Sequence, residues 1–294
     1  MISQQIIINA PINKVFDAYK DINNWKYALS DVLNIDILYD DNIHQEFKMT
    51  VERNFQPETV RTIRFCKDFG NEKEITLFQP VPPPQFKSMT GKWNFKKIDD
   101  NRTLLQAYRN FKIKENSLIN ESDVINNLNN SLKRNLEFFK LQSEGIGKIS
   151  VSRLVKTDYK SALNRFWDIK HWSDIWPPVD SVQINYDDNI NQDFSMLVWR
   201  NNLKEEVRTV RHRINDKVID FNSILPPPKL LIHDGKWVFE EHEEGTIVTS
   251  ERTFFMDELQ LNDDYDIELK NYKYNLQNRL IQILEAFQKY FDNY

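Results

Sequence analysis

Cysteine is almost absent from this chain of 294 residues, which contains only Cys66. A single thiol can form no internal disulfide and cannot supply the paired cysteines of most structural zinc sites. Runs of about 18 apolar residues are also missing, so no membrane-spanning helix is predicted. No charged and then apolar segment follows Met1, as a secretory signal would require. We therefore expect a soluble, cytoplasmic protein that does not act at a membrane.

Basic clusters and metal-ligand patterns are missing too. The net charge is −5, and lysine and arginine form no run that could neutralise a phosphate backbone, so nucleic acid is not an expected partner. The five histidines show no spacing typical of zinc ligands, and no metal is expected. Aromatic residues, in contrast, are plentiful, with 19 Phe, 11 Tyr and 7 Trp. Such residues fill cores and also line pockets for flat ligands.

A set of short motifs occurs twice. The motifs at 39–43 and 60–64 return 147 residues later, and those at 82–84 and 91–93 return 144 residues later, in the same order. Preserved order and spacing indicate one duplicated module of about 145 residues, which is long enough for a domain with its own core. We predict a first domain at 1–143, a second at 147–294 and a linker at 144–146.

Each copy has the same predicted plan of a strand, a short helix, six further strands and a long helix. The strands are predicted at 2–9, 33–39, 44–54, 58–66, 72–79, 87–97 and 102–113, and again at 148–155, 180–186, 191–200, 205–213, 218–224, 230–240 and 246–256. The helices are predicted at 14–21, 122–141, 159–168 and 264–291, with Asp158 as an N-cap. The expected fold is α+β, a curved antiparallel sheet around a long helix, with room for an internal cavity.

Alternation along the strands places particular side chains on the inner face. In the second copy Leu231, His233 and Trp237 share a face, as do Met89 and Trp93 in the first. The tryptophans could line a pocket or simply fill the core. His233 could act as a general acid or base, or could be a hydrogen-bonded structural residue.

The arginines leave an ambiguity that alternation does not resolve. Arg64 shares a face with Thr62, whereas Arg61 lies on the other face, and Arg211 and Arg208 repeat this pattern. At least one arginine of each copy should therefore point inward, where it needs a partner or a wet cavity. Carboxylate partners or solvated strand edges would give a purely structural explanation.

Two segments carry a family resemblance. Asp21-Ile22-Asn23-Asn24-Trp25 and Asp168-Ile169-Lys170-His171-Trp172, each after a strand and a helix, resemble the opening of the START-like (helix-grip, SRPBCC) superfamily. The order Trp176-Pro177-Pro178, Thr209-x-Arg211, Pro227-Pro228 and Gly235-x-Trp237 is similar to that of polyketide aromatase/cyclases. As a whole, the duplicated chain resembles the di-domain aromatase/cyclases.

The resemblance implies two tandem helix-grip domains, each with a seven-stranded antiparallel sheet around a long C-terminal helix and a deep pocket. It places an arginine and a hydroxyl residue of the fourth strand in that pocket. Arg109 and Arg252 stand where several relatives have a histidine. With His233 from the alternation, the expected catalytic residues are Arg211, Thr209, His233, Arg64 and Thr62. The expected pocket residues are Trp237, Trp93, Trp199, Trp172, Met196, Met49, Arg252 and Arg109.

The function implied is a cofactor-independent polyketide cyclase/aromatase. It would fold a poly-β-ketone tethered to an acyl carrier protein and catalyse aldol cyclisation and dehydration to an aromatic ring. Arginine would stabilise the oxyanion, threonine would orient a carbonyl, and His233 or water would move protons. The carrier protein and other synthase subunits would be its partners. Because the second copy holds five of the seven tryptophans and four of the five histidines, we expect it to be the more active one.

Two other functions are compatible with the sequence. One is a non-catalytic module that binds a hydrophobic or aromatic ligand, as some members of this superfamily do. The other is a structural pair in which the two copies only stabilise each other, with interiors filled by Trp and Phe.

Overall fold

The computed structural model describes residues 1–53, 55–114, 120–200 and 202–293. The chain divides into two compact units, Met1–Glu144 and Gly145–Tyr294. Among the described helices none is long and apolar enough to cross a membrane.

The first unit is a seven-stranded antiparallel sheet packed against one long helix. Its strands follow the order β1-β7-β6-β5-β4-β3-β2, so the first strand pairs with the last. The elements are β1 (Ile2–Ile8), α1 (Ile12–Lys20), α2 (Asn24–Ala28), β2 (Val32–Asp40), β3 (His44–Arg53), β4 (Gln56–Asp68), β5 (Glu72–Val81), β6 (Phe86–Asp99), β7 (Arg102–Ile113) and α3 (Glu121–Ser143).

The second unit repeats this architecture, with strand order β8-β14-β13-β12-β11-β10-β9. Its elements are β8 (Gly147–Val155), α4 (Tyr159–Trp167), β9 (Val179–Asp187), β10 (Asn191–Arg200), β11 (Leu203–Asn215), β12 (Val218–Leu225), β13 (Leu230–His242), β14 (Gly245–Met256) and α5 (Tyr265–Asp292). Short 3₁₀ segments lie at Ile169–Asp174 and Glu258–Gln260.

The predicted fold class is confirmed, since both units are helix-grip domains with seven antiparallel strands and a long C-terminal helix. Asp158 is the N-cap of α4, and its carboxylate accepts bonds of 3.0 Å from the backbone N–H groups of Lys160 and Ser161. Neither α2 nor the 3₁₀ segments were predicted, because they are too short to show a clear hydrophobic period.

An aromatic stack joins the short and long helices in each core. Tyr19 of α1 stacks on Phe139 of α3 at 4.0 Å between ring centroids, and Phe166 stacks on Phe287 at 3.9 Å. The tryptophan of each Asp-Ile-x-x-Trp segment reaches the same place. The Nε1 of Trp25 donates to the Tyr19 carbonyl at 2.9 Å, which fixes the chain leaving α1.

One predicted face assignment on β13 is wrong. The register shifts between Leu230 and Ile232, so Leu230 is buried and Leu231 is 61% exposed. An extra residue in a strand reverses the direction of the side chains before it. Beyond this irregularity the expected alternation holds, and Trp237 and Phe239 are buried.

Candidate functional site

The first unit contains a cavity of about 590 Å³ between the sheet and α3. Its wall combines apolar side chains with a similar share of polar and charged ones, which come from the strands, from the segment before β2 and from α3. The lining includes Trp25, Phe47, Met49, Val60, Leu77, Phe86, Met89, Trp93, Leu128 and Leu132, with Thr62, Arg64, Gln79, Arg109, Ser131 and Asn135. A groove of about 860 Å³ runs along α5 on the second unit, but no predicted site residue lines it.

Arg109 carries an uncompensated charge at the cavity wall. Its guanidinium carbon lies 4.1 Å from the centre of a Trp93 ring, a close cation–π contact. Its Nη1 donates to the Tyr108 carbonyl at 2.7 Å. Within the described part of the chain, no carboxylate pairs with it. Burial lowers the pKa of Arg109 to about 10, so the side chain is still charged at neutral pH.

Gly91 makes room for this arginine. The two residues lie opposite each other on β6 and β7. A Cβ atom at position 91 would stand 2.6 Å from Nη1 of Arg109, which is closer than non-bonded atoms approach. The glycine of the Gly-Lys-Trp motif therefore allows the guanidinium to lie across the sheet beside Trp93.

Thr62 and Gln79 provide an uncharged polar pair on the same wall. The Nε2 of Gln79 donates to the Thr62 hydroxyl at 3.2 Å. The Thr62 hydroxyl proton remains available to a guest. Gln79 Oε1 is buried and has no hydrogen-bond partner among the described residues. The cavity thus offers one donor and one acceptor near each other.

Arg64 points inward, which resolves the ambiguity of β4, but its donors are engaged by the protein. Its Nε donates to Gln45 Oε1 at 2.6 Å, Nη1 to the Tyr19 carbonyl at 2.9 Å, and Nη2 to the Lys20 carbonyl. These carbonyls end α1, so Arg64 acts as a C-terminal helix cap. Burial lowers its pKa to about 10. Arg61 lies on the outer face, where its Nε donates to Glu46 at 2.6 Å.

Arg211 repeats this arrangement in the second unit. It donates to Gln192 Oε1 at 2.8 Å, to the Phe166 carbonyl at 2.9 Å and to the Trp167 carbonyl. Burial lowers its pKa to about 9. Arg208 is on the outer face, and two of its nitrogens bind Asp193. Glutamine stands at the equivalent positions 45 and 192, and this repetition is the sequence feature that marks the partners of the two arginines.

Three other predicted site residues of the second unit are Arg252, Thr209 and His233, and all three lie on the inner side of the sheet. The Arg252 guanidinium lies 4.4 Å and 4.5 Å from the rings of Phe221 and Trp237. Thr209 is half-buried on the inner face of β11. His233 Nδ1 lies 3.4 Å from the Ser223 hydroxyl. Burial, with the nearby charges of Arg252, Arg200 and Arg279, holds the pKa of His233 well below 6.5, so the imidazole is neutral.

One predicted pocket residue, Trp199, lies outside the interior. Trp199 is 46% exposed, and its Nε1 donates to Asp180 at 3.1 Å on the outer face of the sheet. The reason is the period of two along a strand, which sets Trp199 opposite to the half-buried Met196. Trp172 is a core residue packed against Phe166 and Phe287. The catalytic roles expected for Arg64, Thr62, Arg211, Thr209 and His233 stay predictions.

Metal ligands are not assembled in the described ranges. There, no group of three or more His, Cys, Asp or Glu side chains could hold a metal ion.

Comparisons with known proteins give structural likenesses at low sequence identity. No protein-family model and no curated protein sequence matches the chain. The chain is similar to the di-domain aromatase/cyclase StfQ of the steffimycin biosynthetic pathway, with 17% identity, 100% of this chain and 99% of StfQ covered, and a TM-score of 0.48. It is similar to the di-domain aromatase/cyclase BexL, with 15% identity, 99% and 98% covered, and a TM-score of 0.46. Half of the chain, 50%, is similar to 94% of the Zhui aromatase/cyclase from a Streptomyces species, at 15% identity and a TM-score of 0.45.

Proposed function

We propose that the first unit binds a poly-β-ketone presented by an acyl carrier protein and directs its aldol cyclisation and dehydration to an aromatic ring. The observation that carries this proposal is Arg109, a half-buried arginine on the cavity wall with no carboxylate partner among the described residues. The proposal moves the expected site from the second copy to the first, where the cavity lies.

The size and wall of the cavity suit such a guest. Small-molecule sites typically measure about 300–1,000 Å³ and combine apolar walls with a few polar groups. The cavity of about 590 Å³ falls in that range. Met49, Met89 and Trp93 offer apolar surface against which a flexible chain can fold. Holding two reacting carbons together accelerates a ring closure, because the entropy of alignment has already been lost on binding.

The charge of Arg109 suits the chemistry of ring closure. An enolate carbon attacks a ketone carbonyl, a carbon–carbon bond forms, and the carbonyl electron pair moves onto oxygen. A guanidinium donates charge-assisted hydrogen bonds to such an oxyanion. Thr62 and Gln79 would orient a second carbonyl of the chain. No cofactor is needed for these steps.

We propose Glu58 as the carboxylate that moves protons. It belongs to the cavity lining, and its Oε2 is buried without a hydrogen-bond partner in the described residues, 3.6 Å from Arg53 Nε. A methylene between two carbonyls is acidic, so a carboxylate or a bound water is a sufficient base. The subsequent loss of water returns a proton to the departing hydroxyl.

A non-catalytic carrier of a hydrophobic or aromatic ligand is the second candidate. It is favoured by the absence of histidine from the described lining. Under this alternative Arg109 would hold a carbonyl or phenolate oxygen of a finished ligand, and Glu58 would be dispensable.

The test adds the protein to a minimal polyketide synthase and analyses the products. We expect a specifically closed aromatic ring with the native protein, and spontaneous misfolded products with Arg109→Met. Arg61→Gln, which alters an outer-face arginine, is the matched control and should behave as native. If the native protein does not change the products but its tryptophan fluorescence responds to an aromatic polyketide, the carrier is supported. If Arg109→Met still directs the ring, the site assignment is wrong.

A further inference from the structure

Three residues of the first unit's cavity wall are replaced by different residue types at the matching positions of the second unit. Both Met89 and His233 stand two residues before the glycine of the Gly-Lys-Trp motif. On the long helices, the stacked rings of Phe139 and Phe287 fix the correspondence. By that alignment Val124 corresponds to Tyr272, and Ser131 corresponds to Arg279. Three uncharged lining residues are thus replaced by a histidine, a tyrosine and an arginine.

One ion pair has the same residue types in both units but differs in its exposure to water. The pair Arg53–Glu58 of the first unit returns as Arg200–Glu205, in which Arg200 Nη1 donates to Glu205 Oε2. The Arg53 side chain is 40% exposed, whereas that of Arg200 is 13% exposed. The second arginine has therefore lost most of its contact with water.

Packed rings connect these side chains in space. His233 lies opposite Phe254 in the sheet, and the Phe254 ring lies 5.0 Å from that of Tyr272. The Tyr272 hydroxyl adjoins the Arg279 guanidinium. On the other side the ring of Phe221 lies 5.6 Å from His233. We call this group the basic cluster; its members are Arg200, Glu205, His233, Arg252, Tyr272 and Arg279.

The basic cluster holds more positive than negative charge and has unused donors. Three arginines face one glutamate, which leaves an excess of positive charge in the interior. Arg200 Nε, Arg279 Nη1 and His233 Nε2 are buried and lack a hydrogen-bond partner in the part of the chain that the structure describes. Because Nδ1 of His233 faces the Ser223 hydroxyl, Nε2 can carry the ring proton. Buried donors without acceptors are costly, and so are buried unpaired charges.

We infer that the basic cluster is a binding site for an organic carboxylate inside the second unit. The free groups are donors, so the guest must bring acceptor atoms and negative charge. A carboxylate offers two oxygens to Arg279, Arg200 and His233. The rings of Phe221 and Phe254 pack on His233 and Tyr272, so an apolar or aromatic body suits these surroundings better than a bare inorganic anion. This inference does not rest on the function proposed for the first unit.

The test is a titration of the full-length chain with benzoate, followed by NMR of ¹³C-labelled histidine. His233→Gln identifies the His233 signal. Benzoate should raise the pKa of His233, because its charge offsets that of the three arginines that now depress it. Benzamide has nearly the same shape without the charge, so it should produce no saturable change in the His233 signal.

Variants of the cluster make the result specific. Arg279→Ser installs the residue of the matching first-unit position, and we expect it to weaken benzoate binding about tenfold or more. Arg279→Lys keeps the charge and loses the planar pair of donors, so it should weaken binding less. Arg208→Gln, on the outer face of β11, is the control and should leave the dissociation constant unchanged.

Several outcomes would overturn the inference. They are a His233 signal that ignores benzoate, an equal response to benzamide, or unchanged binding in folded Arg279→Ser. If inorganic phosphate shifts the His233 signal and benzoate does not, the carboxylate assignment is wrong. Circular dichroism shows whether Arg279→Ser folds. If it does not, two results still contradict the inference: Arg279→Lys binds benzoate as tightly as the native chain, or His233 of the native chain does not respond to benzoate.

Discussion

The Nε of Arg211 donates a 2.8 Å hydrogen bond to Oε1 of Gln192, its direct neighbour across β11 and β10. Arg64 and Gln45 form the equivalent bond at 2.6 Å in the first unit. In both units the remaining nitrogens reach the last carbonyls of the short helix. A cation at a helix C-terminus is stabilised by the helix dipole, so this buried charge does not require a carboxylate.

Removing this arginine should destabilise the unit that contains it. Arg211→Met leaves the carbonyls of Phe166 and Trp167 buried without donors, and we expect the free energy of unfolding to fall by about 3 kcal/mol. Urea denaturation followed by tryptophan fluorescence measures this. Arg208→Met removes an exposed ion pair from the same strand and should cost less than about 1 kcal/mol. Equal losses in the two variants would contradict the capping role.

The two glycines of the Gly-Lys-Trp motifs should differ in their tolerance of alanine. A Cβ at Gly235 would strike the Glu251 backbone carbonyl, which the sheet holds in place, and we expect a loss of about 1–3 kcal/mol in the free energy of unfolding. At Gly91 the nearest atom is the flexible end of Arg109, so the loss should be smaller. Urea denaturation of Gly235→Ala and Gly91→Ala measures the two losses. A larger loss for Gly91→Ala would contradict the prediction.

Lys273 should make stability depend on pH. It is 3% exposed on α5, where the first unit has Ile125, and burial lowers its pKa from the usual 10.5 to about 7. Between these values the unfolded chain binds a proton that the native chain does not, so the free energy of unfolding rises with pH in this window. The stability of Lys273→Met relative to the native protein should therefore be greatest near pH 6 and should decline towards pH 10.

Denaturation midpoints across this pH range test the effect of Lys273. Lys289→Met, which alters an exposed lysine of the same helix, is the control and should show no such trend. A pH-independent difference between Lys273→Met and the native protein would show that the buried amine does not titrate in this window.

Truncation of Trp237 should reduce stability much more than truncation of Trp199. Trp237→Ala removes a buried ring that packs on Phe166 at 4.9 Å, and we expect a loss of about 3–5 kcal/mol in the free energy of unfolding. Trp199→Ala removes a half-exposed ring and should cost less than about 1 kcal/mol. If thermal or urea unfolding shows comparable losses of stability for the two variants, Trp199 is buried in the interior and the prediction is wrong.

The duplication is the reason that the fold could be predicted from the sequence. Each element was seen twice, and the paired Thr62-x-Arg64 and Thr209-x-Arg211 motifs aligned the strands of the two copies. The inner face of β4 could not be chosen this way, because each face carries an arginine. The family resemblance placed Arg64 inward, and the structure shows why: Gln45 and the α1 carbonyls, which are distant in sequence, accept its hydrogen bonds.

The site was less predictable because cavity space depends on residues far apart in the chain. Whether β6 or β13 faces an empty space is decided by the side chains of the long helix, such as Ser131 or Arg279, about 40 residues away. The irregularity at Leu230–Ile232 has no sequence mark such as glycine, so alternation placed Leu231 on the wrong face. Histidine and tryptophan counts favoured the second copy, although bulky side chains also reduce the room for a guest as long as a poly-β-ketone.

The pairing of β1 with β7 and the stacking of Tyr19 on Phe139 have a consequence for synthesis on the ribosome. The amino-terminal strand cannot find its neighbour until more than one hundred further residues have been translated, and α1 must wait longer for its aromatic partner. Emergence of α3 completes these contacts while the remaining half of the polypeptide is still being made. Newly translated Met1–Glu144 can thus fold before its duplicate exists, which limits mispairing between two sets of strands with the same arrangement.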